Sequence, residues 1–461
     1  PMSPQKALPK RLIVDAAIVK NGIDVIVNGD HFPIIYPSAI WSKTPAYLKE
    51  ILKDNLAYSS TLFVPQILNI RSIEYKTARP ISETYLYKCG IYDMACSAHT
   101  DGKSSQEYVN RFVNTRVTFA DETIKVPPTV AFDKKPTDNA LITFSFGKES
   151  LLSYALASRE LGLHPILVNA IEPVHTYEND HKQILKKQFE KEMNIKPNFI
   201  SFGPGIFKYG KYWGLETELG TGLWVTEYLM MSLPFIHYFD ASYAIVGNEQ
   251  SCNDDFYDRE GMLTFRYAYD QIREWTTQLS LLTSMLCGRR IEVMSLVEPL
   301  NEIAETNILH RRYPDIGKYQ MSCFAMDPGA RDRRWCQNCD KCSYMFPMLA
   351  SFGIDPYTMG FTDSLFDKKY EHLYKGMFTG EDKNEEYGGH EETMVSFYLA
   401  MKNGYTGANI DRFKKVVLPK FNKKKKYYIT KYMGVHETQN IPPRFKNKIM
   451  SMYRRELKSY L

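Results

Sequence analysis

The residues with the clearest chemistry are four of the eight cysteines, spaced Cys323-x12-Cys336-x2-Cys339-x2-Cys342. Two overlapping Cys-x-x-Cys units bring three thiolates within reach of one ion, and Cys323 can supply the fourth. Four thiolates around a tetrahedral ion make a structural zinc site with no open position for catalysis. Thiolates also hold iron–sulfur clusters, so the spacing alone leaves both metals open. Arg331, Arg333, Arg334 and Lys341 lie close by in sequence and favour deprotonated sulfur. A second group is Ser145-Phe146-Gly147-Lys148-Glu149-Ser150. Where a strand exits into a helix, free N–H groups and the helix dipole favour an anion. Ser145 and Ser150 offer hydroxyls, Gly147 permits close backbone approach, and Lys148 can add charge. Glu149 suits the first helical turn but opposes a phosphate unless a metal mediates. An ordinary capped β–α turn would use the same residue types. The third group, Gly247-Asn248-Glu249-Gln250-Ser251, puts a carboxylate and an amide just after an apolar stretch. An Asn/Gly turn accounts for it equally well.

These groups need elements to position them. From Ala140 onward, apolar strands alternate with helical patterns. Strands are expected at Ala140–Phe146, Pro165–Ile171, Asn198–Phe202, Tyr243–Val246 and Ile291–Val297. Helices are expected at Glu149–Leu161, His175–Met193, Glu218–Ser232 and Ala268–Leu286. That alternation predicts an α/β fold with a doubly wound parallel sheet. Ligands of such sheets sit at the carboxyl ends of the strands, where the second and third groups fall. Before it, Asn21-Gly22 and Asn28-Gly29 split short apolar runs into a β meander. The expected organisation is a β-rich N-terminal domain over 1–135, a ligand-binding sheet domain with the cysteine element over 138–350, a helical extension over 351–410 and a basic tail over 411–461.

Hydrophobic residues make up 44% of the 461, aromatics 13% and charged residues 24%, which excludes a predominantly disordered chain. No apolar run approaches the eighteen or so residues that cross a bilayer. The N-terminus carries no apolar signal-peptide core either, so a soluble, cytoplasmic protein without membrane contact is expected. From Arg412 to Leu461, 15 Lys and Arg stand against two acids, so the other 411 residues are net negative. The run Lys423-Lys424-Lys425-Lys426, flanked by Phe421 and Tyr427-Tyr428, could hold RNA or form a solvated face.

The loop Ser145–Ser150 resembles the Ser-Gly-Gly-x-Asp-Ser loop of PP-loop ATP pyrophosphatases, with Phe146 in place of the first Gly and Glu149 in place of Asp. Together with Gly247-Asn248-Glu249-x-Ser251 and Trp335-Cys336-x-x-Cys339-x-Lys341-Cys342, the chain is most similar to the family of UDP-N-acetylmuramoyl-L-alanyl-L-glutamate epimerases. It is more distantly similar to 7-cyano-7-deazaguanine synthases, whose cysteine knot has a shorter first spacing. The likeness spans roughly Ala140 to Cys342 and extends to Tyr387-Gly388-Gly389. The first 130 residues and the basic tail carry none.

The resemblance implies that Ser145, Phe146, Gly147, Glu149, Ser150, Gly247, Asn248 and Ser251 bind ATP and its phosphates. It implies catalytic roles for Lys148 and Glu249, with Glu249, alone or with Glu149, holding Mg2+, and Zn2+ on Cys323, Cys336, Cys339 and Cys342. The implied reaction adenylates a substrate carboxylate and releases pyrophosphate, most simply to epimerise the terminal L-glutamate of a UDP-linked muramoyl dipeptide. The acyl carbonyl of an adenylate no longer carries the carboxylate charge, so its α-proton leaves more readily than that of a carboxylate. Glu249, Cys252, Asp254 and Glu298 are the candidate proton carriers. Amide or nitrile formation, nucleobase or tRNA modification, and a non-catalytic ATP-binding module are the alternatives.

Overall fold

The computed structural model describes residues 8–129, 133–323, 325, 327–380 and 390–461. Tyr387, Gly388 and Gly389 therefore lie outside the described residues. Among the described residues there are twelve strands: β1 (Leu12–Val19), β2 (Gly22–Val27), β3 (Asp30–Ile35), β4 (Ser72–Ala78), β5 (Arg116–Asp121), β6 (Asn139–Thr143), β7 (His164–Ile171), β8 (Asn198–Phe202), β9 (Tyr243–Ile245), β10 (Asp255–Tyr257), β11 (Leu263–Phe265) and β12 (Glu292–Met294). Ten of them form one sheet in the order β12-β9-β6-β7-β8-β3-β2-β1-β4-β5. The run from β12 to β8 is parallel throughout.

Parallel strands covered on both faces read as unbroken apolar runs. Ala140, Leu141 and Ile142 of β6 are all buried, and they alternate between two cores. Ala140 and Ile142 pack into one core, and Leu141 into the other. Chain order reverses at β6: β7 and β8 lie to one side, β9 and β12 to the other. A crevice opens at such a switch point, outside the carboxyl ends of β6 and β9.

The N-terminal strands are not a separate sheet. β3 pairs antiparallel with β8 through Ile34–Phe202 and Ile35–Ser201, so the meander extends the same sheet. In the segment expected to be β-rich, strands follow one another without helices only over residues 12–35; beyond them β4 and β5 alternate with helices, so the segment is mixed. Ala46–Ser59 and Glu83–Thr100 are long helices that pack against the same core. Of the two Asn-Gly pairs, Asn28 (φ 50°) and Gly29 (φ 87°) form the left-handed hairpin turn. Gly22 instead opens β2, where an added Cβ would lie 1.8 Å from the Ile34 carbonyl oxygen. The expected Glu218–Ser232 helix starts at Trp224 and breaks near Pro234 into Trp224–Met231 and Leu233–Tyr238.

Residues 411–461 are helical and docked. The Pro443–Leu457 helix donates the Tyr453 hydroxyl to the Leu296 carbonyl at 2.7 Å, and its Phe445 ring meets Tyr243 edge-on. Lys423 to Lys426 are exposed on the Leu418–Met433 helix. No helix among the described residues is long and apolar enough to cross a membrane.

Docking makes a prediction. Ile449 is fully buried on the Pro443–Leu457 helix, so Ile449→Ala should cost about 2–5 kcal/mol. Chemical unfolding reads the cost, and an unchanged midpoint would show a helix that merely lies on the surface.

Candidate functional site

The loop after β6 forms a tight ring. The Ser145 N–H donates to the Ser150 hydroxyl (3.3 Å), and that hydroxyl donates to the Gly147 carbonyl (3.0 Å). The Gly147 N–H donates to the Ser145 hydroxyl at 3.2 Å. Phe146 occupies the left-handed region (φ 62°), a conformation that costs a residue with a Cβ on the order of 1–2 kcal/mol. Its fully buried ring offsets that cost by packing on Phe144 and Phe189, with centroids 4.8 and 5.8 Å away. A glycine would reach this geometry without strain. Gly147 starts the Lys148–Ala155 helix, and a Cβ there would lie 2.8 Å from Glu149 Oε2 and 3.1 Å from Ser145 Oγ. The loop and the helix N-terminus thus face the switch-point crevice.

Lys148 does not reach out toward solvent. It is 1% exposed and pairs with Glu149 and with Glu302 Oε2 (2.6 Å). Burial works against its charge, but the carboxylates of Glu149, Glu302, Glu305 and Glu249 hold the ammonium well above its ordinary range. Across the crevice, Gly247 follows β9 and presses on Glu149, where an added Cβ would sit 2.8 Å from the Glu149 Cβ. Asn248 is structural in its contacts: its amide donates to Thr276 Oγ1 (2.9 Å), and its carbonyl accepts from Ser295 Oγ (2.6 Å). Glu249 folds back to accept the Ser251 N–H (3.0 Å) and the Ser251 hydroxyl.

These carboxyls titrate apart. Burial, then the charge of Glu302, pushes Glu249 up to about 7 against the pull of Lys148. Glu302 is as deeply buried, yet Lys148 and Lys341 outweigh burial and hold it at about 2, with Tyr267 donating to it at 2.9 Å. Burial first, and neighbouring carboxylates second, push Glu305 well above the usual range. Neither oxygen of Glu305 has a hydrogen-bond partner among the described residues. A buried lysine with four carboxylates leaves excess negative charge, which protons or cations must offset.

Two cavities adjoin along Glu149, Trp224, Gly247 and Gln271. The first, of about 170 Å³, is lined by Glu249, Cys252, Arg266, Tyr267, Glu302 and Lys341 among others. The second, of about 250 Å³, runs from Ser145 and Ser150 over Val168, Asn169, Ala170 and Ile200. Asn169 Nδ2 is buried there without a hydrogen-bond partner among the described residues. The Glu83–Thr100 helix adds Asp93, Cys96, Ser97 and Thr100 to the first cavity, a contribution that no motif announced. Glu302 and Glu305 carried a signal that sequence reasoning passed over: two acids three apart share one face at the start of a helix.

Of the four candidate proton carriers, Glu249 and Cys252 reach the cavity. Burial first, then Glu249, pushes the Cys252 thiol well above its ordinary range. Asp254 is 41% exposed and pairs with Arg266. Glu298 is buried elsewhere, paired with Arg273 and accepting from Thr438 and the Asn440 N–H, where it ties down the C-terminal segment.

The cysteine element holds together as the spacing implies. The sulfurs of Cys323, Cys336, Cys339 and Cys342 all lie within 4.8 Å of one another, and can hold a metal such as zinc. Cys323–Cys339 and Cys336–Cys342 are both 3.8 Å apart, which is the edge of a tetrahedron with bonds of about 2.3 Å. Backbone N–H groups of Ala325, Cys336, Gln337 and Asn338 donate to the sulfurs, at 3.2 to 3.5 Å. Cys339 and Cys342 anchor the start of the Asp340–Ala350 helix, and Lys341, one of the two residues between them, lines the first cavity. Among the described residues no other set of three or more such ligands converges; the carboxylates surround Lys148 instead.

No protein-family model matches the chain, and no curated protein matches it significantly.

Two outcomes follow from this geometry. The purified chain should carry one tetrahedral metal ion, and Cys339→Ser should lose it and melt several degrees lower. A metal-free chain that melts like Cys339→Ser would remove the site. Glu249 binds its proton more tightly folded than unfolded, so its contribution to stability is complete below the ordinary carboxyl range and is lost as pH rises to about 7. Glu249→Gln should flatten part of that decline in pH-resolved melting curves, and an unchanged slope would contradict the assignment.

Proposed function

We propose that the chain is an ATP-dependent enzyme of the PP-loop type that adenylates a substrate carboxylate. The observation that carries this reading is the Ser145–Ser150 loop at the exit of β6, facing Gly247-Asn248-Glu249 across the switch point. A triphosphate fits the free N–H groups at the start of the Lys148–Ala155 helix. The unpartnered Asn169 amide fits an acceptor of the nucleoside, and Val168, Ala170 and Ile200 give its ring an apolar floor. Mg2+ generally takes one or two protein carboxylates beside phosphates, which is what Glu149 and Glu249 offer.

In the reaction, a carboxylate oxygen attacks the α-phosphorus, the bond to the β,γ-unit breaks, and pyrophosphate leaves. Ser145, Gly147 and Ser150 hold the departing unit. Lys148 keeps Glu149 and Glu302 in place rather than touching phosphate. The acyl-adenylate has lost the carboxylate charge, which acidifies its α-proton and suits epimerisation of a terminal glutamate. Zinc on the four cysteines braces the helix that presents Lys341. The exposed Lys423–Lys426 run favours a second reading, a tRNA-modifying relative, for which salt-sensitive RNA binding is the mark.

Incubation with ATP, Mg2+ and a pool of candidate carboxylates, followed by mass spectrometry, should yield AMP and pyrophosphate in equal amounts. ADP and phosphate, or no turnover in any pool, would sink the reading. Ser150→Ala and Gly147→Val should weaken nucleotide binding about tenfold or more while the fold survives. Native affinity in both variants would dissociate the loop from the nucleotide. Glu249→Gln should lessen the dependence on magnesium, and an unaltered magnesium titration would remove Glu249 from that role.

A further inference from the structure

The β10–β11 hairpin leads directly into Arg266, which lines the first cavity. Its side chain is only 10% exposed. Nη1 lies 3.4 Å from Asp254 Oδ2, while Nε and Nη2 are buried without a hydrogen-bond partner among the described residues. Nε and Nη2 form one edge of the planar guanidinium, the fork that takes both oxygens of a carboxylate. Leaving buried charged donors unpaired is costly, so this fork points to a ligand. The Tyr267 ring supports its face at 5.6 Å.

The surroundings choose between oxyanions. Glu149, Glu218, Glu249 and Glu302 line the cavity against Arg266 and Lys341. A phosphate dianion would bring two more negative charges to a wall already rich in them, and a carboxylate brings one. A carboxylate held through both oxygens is also a poor nucleophile, and the phosphate loop lies in the adjoining cavity. We propose that Arg266 receives a second carboxylate of the substrate, one that stays ionised while the other is activated. Arg266 then selects for a second carboxylate, which the terminal glutamate of the proposed reaction carries. This rests on the function proposed above.

The test measures binding of glutarate, its neutral analogue glutaramide, and inorganic phosphate to the full chain by calorimetry. Glutarate should bind the native chain, and glutaramide should not. Arg266→Gln should weaken glutarate about tenfold or more, and Arg266→Lys, which keeps the charge but loses the fork, should fall between. Mg·ATP binding is measured on the same samples and should be equal in all three. A native chain that binds glutarate through Arg266 but no ATP sinks the adenylation reading alone. Equal glutarate affinity in native chain and both variants, tighter binding of phosphate than of glutarate, or no glutarate binding at all overturns the role of Arg266.

Discussion

The ammonium group of Lys148 is the interaction around which the site is built. It is buried, and burial alone would discharge it, yet Glu149, Glu302, Glu305 and Glu249 keep it charged. Those carboxylates come from three places: the first turn of the Lys148–Ala155 helix, the loop after β9, and the Glu302–Arg312 helix. Removing one partner from a buried charge cluster costs about 3–5 kcal/mol, because the remaining charge is left uncompensated. One lysine thereby fixes the relative positions of the turn after β6, the opposite loop and the helix that carries the remaining acids. It also gathers more carboxyl groups than one lysine neutralises, and the protons that burial keeps on Glu305 and Glu249 offset part of that excess.

The cysteine element is tied to the same cluster. Lys341 stands between two of the cysteines that shape the start of its helix, and its charge helps to hold Glu302 ionised. Trp335 stacks on Phe361 and donates its indole N–H to the Met359 carbonyl at 2.8 Å, which seats the element on the core. A metal held there would act on the crevice through the position of one lysine. The basic C-terminal helices dock nearby, and Asn301, at the start of the Glu302 helix, donates to the Lys431 carbonyl at 3.0 Å. The far end of the chain therefore helps to set the cluster.

What was legible in the sequence was local. The cysteine spacing fixes its own geometry within a few turns, and the buried parallel strands are unbroken apolar runs, so both could be read directly. The loop after β6 was legible for the same reason, although the left-handed backbone of Phe146 was not, because its compensation lies in contacts with Phe189. Lys148 illustrates the limit. Its neighbour Glu149 is adjacent in sequence, but Glu302 lies some 150 residues on, and only the fold reveals that the lysine faces inward. Asp93, Cys96 and Arg266 share that obscurity, since they sit outside any motif and only tertiary packing brings them to the cavity: the Phe265 N–H donates to Cys96 Sγ at 3.4 Å and the Tyr269 N–H to Asp93 Oδ1 at 3.0 Å. Glu298 erred in the other direction: it follows an apolar strand as a ligand-edge acid should, but Arg273 and the C-terminal segment claim it.

The central claim is that the crevice between the β6 and β9 loops takes a nucleoside triphosphate, and a crystal structure of the chain with Mg2+ and a non-hydrolysable ATP analogue tests it most directly. The account predicts density for the phosphates within hydrogen-bond distance of Ser145, Gly147 and Ser150, with the cation between Glu149 and Glu249. A nucleotide bound elsewhere on the molecule, with the Ser145–Ser150 ring unchanged and empty, would contradict it.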